Sequence, residues 1–321
     1  MHRVVVIGAR GYTGAELLPL LHRHPDFELS AVSSASAAGQ LVSTHVRGLP
    51  GCELVFSEIR PAALARLKPD ACVLALPNGL AAAYVEALDA GSPATVVVDL
   101  SADHRFDPAW AYGQAERFAN QLSGASRIAN PGCYATGGQL ALAPMLDSLV
   151  GMPAIFGVSG YSGAGKTPSP KNDPDVLKDN LLPYALVDHI HEKEISHHIG
   201  RDVRFMPHVA PFFRGITLSV AAEVRQATTE KALMERYREY YSGFPLVEVR
   251  EGIPEVRQVR GRHQVLVGGF AVSENNPGRV SLVVVLDNLL KGAATQAIQN
   301  LNLAFSLDSM KGLDIRMGEP S

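Results

Sequence analysis

Apolar residues fall into short blocks with two different periods. Over roughly the first 130 residues, apolar-rich segments at 4–7, 27–32, 71–76 and 95–100 predict strands, and continuous runs such as Val96-Val97-Val98 fit strands covered on both faces, as in a parallel sheet. Between them, residues 12–23 place Leu17, Leu18, Leu20 and Leu21 on one helical face, and residues 79–90 read as another helix. That alternation predicts a Rossmann-type α/β domain. Beyond residue ~150 the texture changes. Residues 215–224 alternate, with Ile216, Leu218 and Val220 set against Thr217 and Ser219; 265–273 and 280–287 are further strands, and 230–241 a helix. This predicts an α+β domain on a mixed or antiparallel sheet. A last helix, 289–305, has no strand after it and is expected to return to the first domain. The expected division is therefore 1–131 with 289–321, and 132–288.

Composition narrows the function. With 46% hydrophobic and 19% charged residues in 321, the chain has material for two cores and no disorder signature. A formal charge of −3 gives no general attraction to nucleic acid or acidic membranes. The block at 4–7 is too short for a signal-peptide core, and no window nears the ~20 apolar residues of a membrane span. Cys52, Cys72 and Cys133 show no CxxC spacing and cannot all pair, which points to a reducing, cytoplasmic setting.

Gly8-Ala9-Arg10-Gly11-Tyr12-Thr13-Gly14 lies between the first strand and the first helix, spaced G-x-x-G-x-x-G rather than G-x-G-x-x-G. The physics of a pyrophosphate loop is unchanged: tight turning, close backbone approach and a helix N-terminus facing the anion. Gly8, Arg10, Gly11, Tyr12, Thr13 and Gly14 are thus candidate cofactor contacts. After the second strand, where an NAD site usually has an acidic residue, stand Ser33, Ser34 and Ser36. Hydroxyls with Arg10 nearby suit a 2′-phosphate, so NADP(H) is expected over NAD.

Pro131 and Gly132 break the chain before Cys133, and Leu140, Leu142 and Met145 continue as a helix. Cys133 is therefore expected at a helix N-terminus, where dipole and free N–H groups favour a thiolate. Cys72, in an apolar strand, reads as core. Thiolate plus nicotinamide implies attack on an acyl phosphate or aldehyde, with hydride exchanged at a thioester or thiohemiacetal carbon. Asp188-His189-Ile190-His191-Glu192-Lys193-Glu194 offers the acid/base. Extended, His189 and His191 would share a face; helical, they would diverge. The choice stays open, leaning to His191 because Glu194 could orient it. A zinc site, the rival use of these histidines, lacks standard spacing, and no metal is expected.

Residues 160–167 (GYSGAGKT) fit the P-loop pattern letter for letter and follow a strand at 154–159. A P-loop needs a helix starting at its Lys-Thr, and Pro168, Pro170 and Pro174 forbid one. A small-molecule kinase is disfavoured; Ser162, Lys166 or Thr167 could still hold a substrate anion.

These features together resemble the N-acetyl-gamma-glutamyl-phosphate reductases of arginine biosynthesis over essentially the whole chain. The resemblance is carried by 8–16 (GARGYTGAE), 99–105 (DLSADHR), 130–137 (NPGCYATG) with Pro144, and 159–166. It continues in His189-x-His191 with Glu194-Ile195, 207–211 before Arg214-Gly215-Ile216, Asp287-Asn288-Leu289, and Lys291-Gly292-Ala293-Ala294. It implies a glyceraldehyde-3-phosphate dehydrogenase-like fold, Cys133 as nucleophile and the histidine pair as acid/base. It also implies Arg105, Asn130, Ser162 and Arg214 at the substrate; Lys166 is a further candidate there, and Pro77 a candidate at the cofactor. The partners implied are an acyl phosphate or semialdehyde, inorganic phosphate, and further copies of the chain in a homodimer or homotetramer. Ile190, Lys193 and Asn78 depart from the family's usual H-R-H-x-P-E-I and A-L-P-H-G. Sister enzymes acting on aspartyl or carrier-linked aminoadipyl phosphate are the nearest alternatives.

Overall fold

The computed structural model describes residues 1–314. Its contacts divide the chain into one unit of 1–132 with 293–314 and another beginning at Cys133 and running to Gly292. Residues 315–321, the end of the range expected for the nucleotide domain, lie outside the described residues.

The first unit runs β1 (His2–Ile7), α1 (Tyr12–His22), β2 (Phe27–Ser33), α2 (Pro61–Leu67), β3 (Ala71–Leu74), α3 (Ala82–Gly91), β4 (Val96–Asp99), β5 (Ala111–Tyr112), α4 (Ala115–Leu122) and β6 (Arg127–Ala129). Its six strands, ordered β2-β1-β3-β4-β6-β5, all pair in parallel. Every residue of β3 and β4 is buried, which is why they read as unbroken apolar blocks. The order reverses at β1, so the crevice beyond its C-terminal end is the expected ligand position, and the glycine loop begins there. The four leucines assigned to the inner face of α1 are all buried.

The second unit continues with α5 (Cys133–Leu142), β7 (Leu149–Gly160), α6 (Pro174–Leu177), β8 (Leu182–Pro183), α7 (Ile190–Ile199), β9 (Arg204–Ala210), β10 (Ile216–Val224), α8 (Glu230–Tyr240), β11 (Val247–Val249), β12 (Val265–Val272) and β13 (Arg279–Leu286). Its mixed sheet is ordered β11-β12-β13-β10-β7-β9-β8. On β10, Ile216, Leu218, Val220, Ala222 and Val224 face a core shared with α5, α7 and α8, while Ser219, Ala221 and Glu223 are exposed.

The expected helix 289–305 is interrupted. A π-turn, Leu290–Ala294, precedes α9 (Thr295–Ala304). The apolar sequence runs through both and does not mark the change. α9 packs on α1, α4 and β4 of the first unit. Two of its buried amides donate: Asn300 to Asn130 (2.9 Å), and Asn302 to the carbonyls of Ser309 (3.2 Å) and Lys311 (2.8 Å). Among the described residues, no helix is long and apolar enough to cross a membrane.

Candidate active site

In the first unit, the glycine loop is shaped by absent side chains. Gly8 has φ +80°, and a Cβ there would overlap the Ala75 carbonyl; one on Gly14 would overlap the Ala9 carbonyl. Gly11 is the N-cap of α1 and puts no side chain over the helix's first amides. Arg10 donates from Nη1 to Ser36 Oγ at 2.8 Å, and Ser34 Oγ lies 3.5 Å from the same hydroxyl. This bare-backbone cradle with a cation beside hydroxyls fits a dinucleotide carrying an extra phosphate. Ser33 is placed differently: its hydroxyl accepts from Ile59 N (3.1 Å), and its carbonyl accepts from the amides of Gly8 and Ala9 (3.1 Å each). It locks the loop's base. Tyr12 and Thr13 open α1, and Pro77 is exposed after β3.

The loops after β3 and β4 are pinned to one another. Asp103 accepts from Gly79 N with both oxygens (2.8 Å each), and Asn78 accepts from Ala102 N (3.0 Å), so Asn78 has a structural use of its own. Asp99, fully buried, accepts from Ser101 N (2.9 Å), Ser101 Oγ (2.8 Å) and His104 Nδ1 (2.7 Å). The His104 ring stacks on Trp110 at 3.9 Å. Arg105 donates to the carbonyls of Asn130 and Leu100, each at 3.0 Å, which brings two expected substrate residues together. Sequence reasoning singled out Arg105 but missed Asp99 and His104. An acidic residue closing a Val-Val-Val strand was the signal available.

In the second unit, Cys133 is the first residue of α5 and half-buried. Burial holds the neighbouring Tyr134 phenol well above its usual range, with Tyr184 and charge at Cys133 adding to the rise. Tyr184 is likewise raised by burial first and Cys133 second. Tyr134 donates to the His208 carbonyl at 2.8 Å, and Lys171 sits 4.8 Å over the Tyr184 ring. Nothing in the sequence had marked Tyr184, a lone aromatic in an irregular stretch. Cys72 is buried in β3, and burial pushes its thiol far up, as befits a core cysteine.

The two histidines are placed differently. His189 is the N-cap of α7, its Nδ1 accepting from His191 N at 3.1 Å; the pair is neither both extended nor both helical. With Nδ1 accepting, the neutral ring carries its proton on Nε2. The rings of His191, Tyr184 and Phe205 lie 4.9–5.4 Å away. Burial, helped by Lys171, pulls the His189 pKa down to about 4. His191 stands in the first turn of α7, 5.7 Å from the Tyr134 ring. Glu192 fixes that turn by accepting from Asp188 N (3.0 Å) and Phe205 N (2.8 Å), while Glu194 is buried one turn on.

Residues 161–164 form a 3-10 turn, and the chain beyond Lys166 is irregular until α6. Asn172 holds this loop through the carbonyls of Gly165 and Thr167, each at 2.8 Å. The helix a P-loop requires is absent among the described residues. Lys166 is exposed, whereas Ser162 is buried and accepts from Asn288 at 2.9 Å. Arg214 faces Asp287 through Nε (2.6 Å) and Nη2 (3.1 Å). Among the described residues, no group of three or more His, Cys, Asp or Glu could hold a metal ion.

Residues 3–125 match the family described as semialdehyde dehydrogenase, NAD binding domain, and 133–288 match semialdehyde dehydrogenase, dimerisation domain. The solved aspartate semialdehyde dehydrogenase II from Vibrio cholerae, complexed with ASA, has the same fold (TM-score 0.76, 20% identity, 95% of this chain and 98% of that one). So has aspartate semialdehyde dehydrogenase with NADP from Candida albicans (TM-score 0.71, 17% identity, 95% and 99%). Much nearer in sequence are proteins named N-acetyl-gamma-glutamyl-phosphate reductase. That of Xanthomonas euvesicatoria pv. vesicatoria is 50% identical, covering 96% of this chain and 97% of its own. Those of Stenotrophomonas maltophilia and Xylella fastidiosa are each 51% identical over 96% of this chain, covering 96% and 94% of theirs. The chain belongs to the N-acetyl-gamma-glutamyl-phosphate reductase family.

Proposed function

We propose that the chain reduces N-acetyl-L-glutamyl 5-phosphate to N-acetyl-L-glutamate 5-semialdehyde and phosphate, with NADPH as reductant, in arginine biosynthesis. The observation that carries this reading is the end-to-end relation to reductases of that name at about half identity. Cys133 at the start of α5, next to Tyr134, whose ring lies 6.5 Å from that of His189 and 5.7 Å from that of His191, supports the chemistry.

In this mechanism the Cys133 thiolate attacks the acyl carbon, the C–S bond forms, the C–O bond to phosphate breaks, and a thioester remains on Cys133. NADPH, when bound, supplies the hydride that reduces this thioester. His191 delivers the proton to the resulting thiohemiacetal oxygen and removes it as the C–S bond breaks, returning aldehyde and thiolate. His189, neutral and engaged as the cap, holds the turn that carries His191. Gly8, Gly11 and Gly14, with Tyr12, Thr13 and Pro77, form the dinucleotide cradle, and Arg10 with Ser34 and Ser36 takes the 2′-phosphate. Lys166 and Ser162, with Arg105 and Asn130, are assigned to the substrate; Arg214 acts through Asp287.

We assign the assembly as a homodimer or a dimer of dimers joined through the sheet of the second unit. Supporting this are the dimerisation-domain match and the exposed Phe156, Ser219 and Ala221 on adjacent strands. The three free cysteines suit the cytoplasm.

The test is NADP reduction by N-acetyl-glutamate semialdehyde in the presence and absence of phosphate. Phosphate-dependent turnover that Cys133→Ser abolishes is expected. No turnover by the wild type, or undiminished turnover by Cys133→Ser, overturns the reading.

A further inference from the structure

The corner after β13 is anchored with unusual density. Asp287 is fully buried, and besides Arg214 its carboxylate accepts from the amides of Gly261 (2.7 Å), Leu289 (2.9 Å) and Leu290 (3.3 Å). Asn288 accepts from Gly215 N at 2.7 Å and donates to Ser162 at 2.9 Å. A segment leaving such a corner starts from a fixed point and direction. It then makes the π-turn, with Gly292 N donating to the Asp287 carbonyl five residues back, at 3.0 Å. The extra residue in such a turn bulges the backbone outward from the helical path.

At Gly292 the bulge meets Cys133. A Cβ built on Gly292 would lie 2.7 Å from Cys133 Cβ and 3.3 Å from its Cα, whereas ordinary contact begins at 3.4 Å. The neighbour is the first carbon of the nucleophile's own side chain and the backbone that bears it, neither of which can swing aside. We propose that Gly292 is a positioning residue for Cys133: the bare backbone of the π-turn, braced by the Arg214–Asp287 pair, forms the wall that sets where the thiol stands. This rests on Cys133 being the nucleophile and assigns Arg214 a role through Asp287 instead of direct substrate contact.

An alanine at 292 must displace Cys133 by roughly 1 Å to restore contact distance, and a misplacement of that size costs on the order of 100-fold in rate. Gly292→Ala is therefore expected to lower kcat about 100-fold. KM should stay within about twofold, since binding groups are untouched. Alkylation of Cys133 by iodoacetamide, read by peptide mass spectrometry across pH, should shift in rate by about tenfold, while Cys52, likewise half-buried, reacts as before. A kcat near wild type, or a kcat loss with the Cys133 alkylation profile unmoved, overturns the proposal. Should Gly292→Ala not fold, Arg214→Lys carries the test, keeping the cation but losing the two-pronged bond. A kcat fall of about tenfold with KM within about twofold supports bracing. A retained kcat, or a KM rise exceeding the kcat fall, overturns it. Alkylation needs no substrate, so failure of this proposal is distinguishable from an error in the assigned reaction.

Discussion

In the first unit, the groups expected to meet the dinucleotide are mostly backbone: Gly8, Gly11 and Gly14 work by what they lack. In the second unit, the groups expected to do chemistry are side chains, each held by other side chains or by a helix end: Cys133 at the start of α5, His191 behind the His189 cap, and Glu192 tying the α7 turn to β9. The difference predicts how each unit fails. Substitutions around the cradle should act by strain and steric overlap, on cofactor binding and stability. Substitutions around Cys133 should act on the chemical step, with binding left largely intact.

The sharpest break in that comparison comes from the two histidines. His191→Asn should lower kcat by about 10²–10⁴-fold, the usual worth of a general acid/base, with KM for NADPH little changed. His189→Asn keeps an N-capping side chain and should stay within a few-fold of wild type. Steady-state kinetics on the pair decides the assignment; the reverse ranking would make His189 the acid/base. Gly8→Ala should destabilise the protein by about 3 kcal/mol or more, from the positive φ and the overlap with Ala75, measurable in urea. Arg10→Ala should cost NADPH about 10- to 100-fold in kcat/KM and leave NADH nearly untouched, by loss of a charge-assisted bond to phosphate.

The smallest effect is on pH. The His189 pKa is depressed from 6.5 to about 4, so the unfolded chain binds the proton more readily than the folded one. Its contribution to stability is complete above the unfolded value and is lost as pH falls from about 6.5 through 4. Solvent screening of this partly exposed ring limits it to on the order of 1 kcal/mol. His189→Asn should flatten that part of the acid limb in thermal melts against pH.

What could be read from the sequence was what short-range pattern encodes. Unbroken valine blocks mark β1 and β4 because both faces are covered, and the alternation of β10 marks a sheet with one covered face. Cys133 was legible because breakers precede an apolar helix, and the P-loop match was discounted on its prolines. The π-turn was not legible, since Leu289, Leu290, Ala293 and Ala294 belong to a segment buried on nearly every side, where the phase shift of about 100° from one extra residue breaks no apolar stripe. Nor was the cap at His189, a residue type seldom placed there, nor Asp287, whose partners Arg214 and Gly261 lie far away in the chain.

The most direct test of Cys133 as nucleophile is a single-turnover experiment with N-acetyl-glutamate semialdehyde and NADP but no phosphate. One equivalent of NADPH should form rapidly, leaving an N-acetyl-glutamyl thioester that peptide mapping places on Cys133, and added phosphate should restart turnover. A burst without an adduct on Cys133, or the same burst from Cys133→Ser, would contradict it.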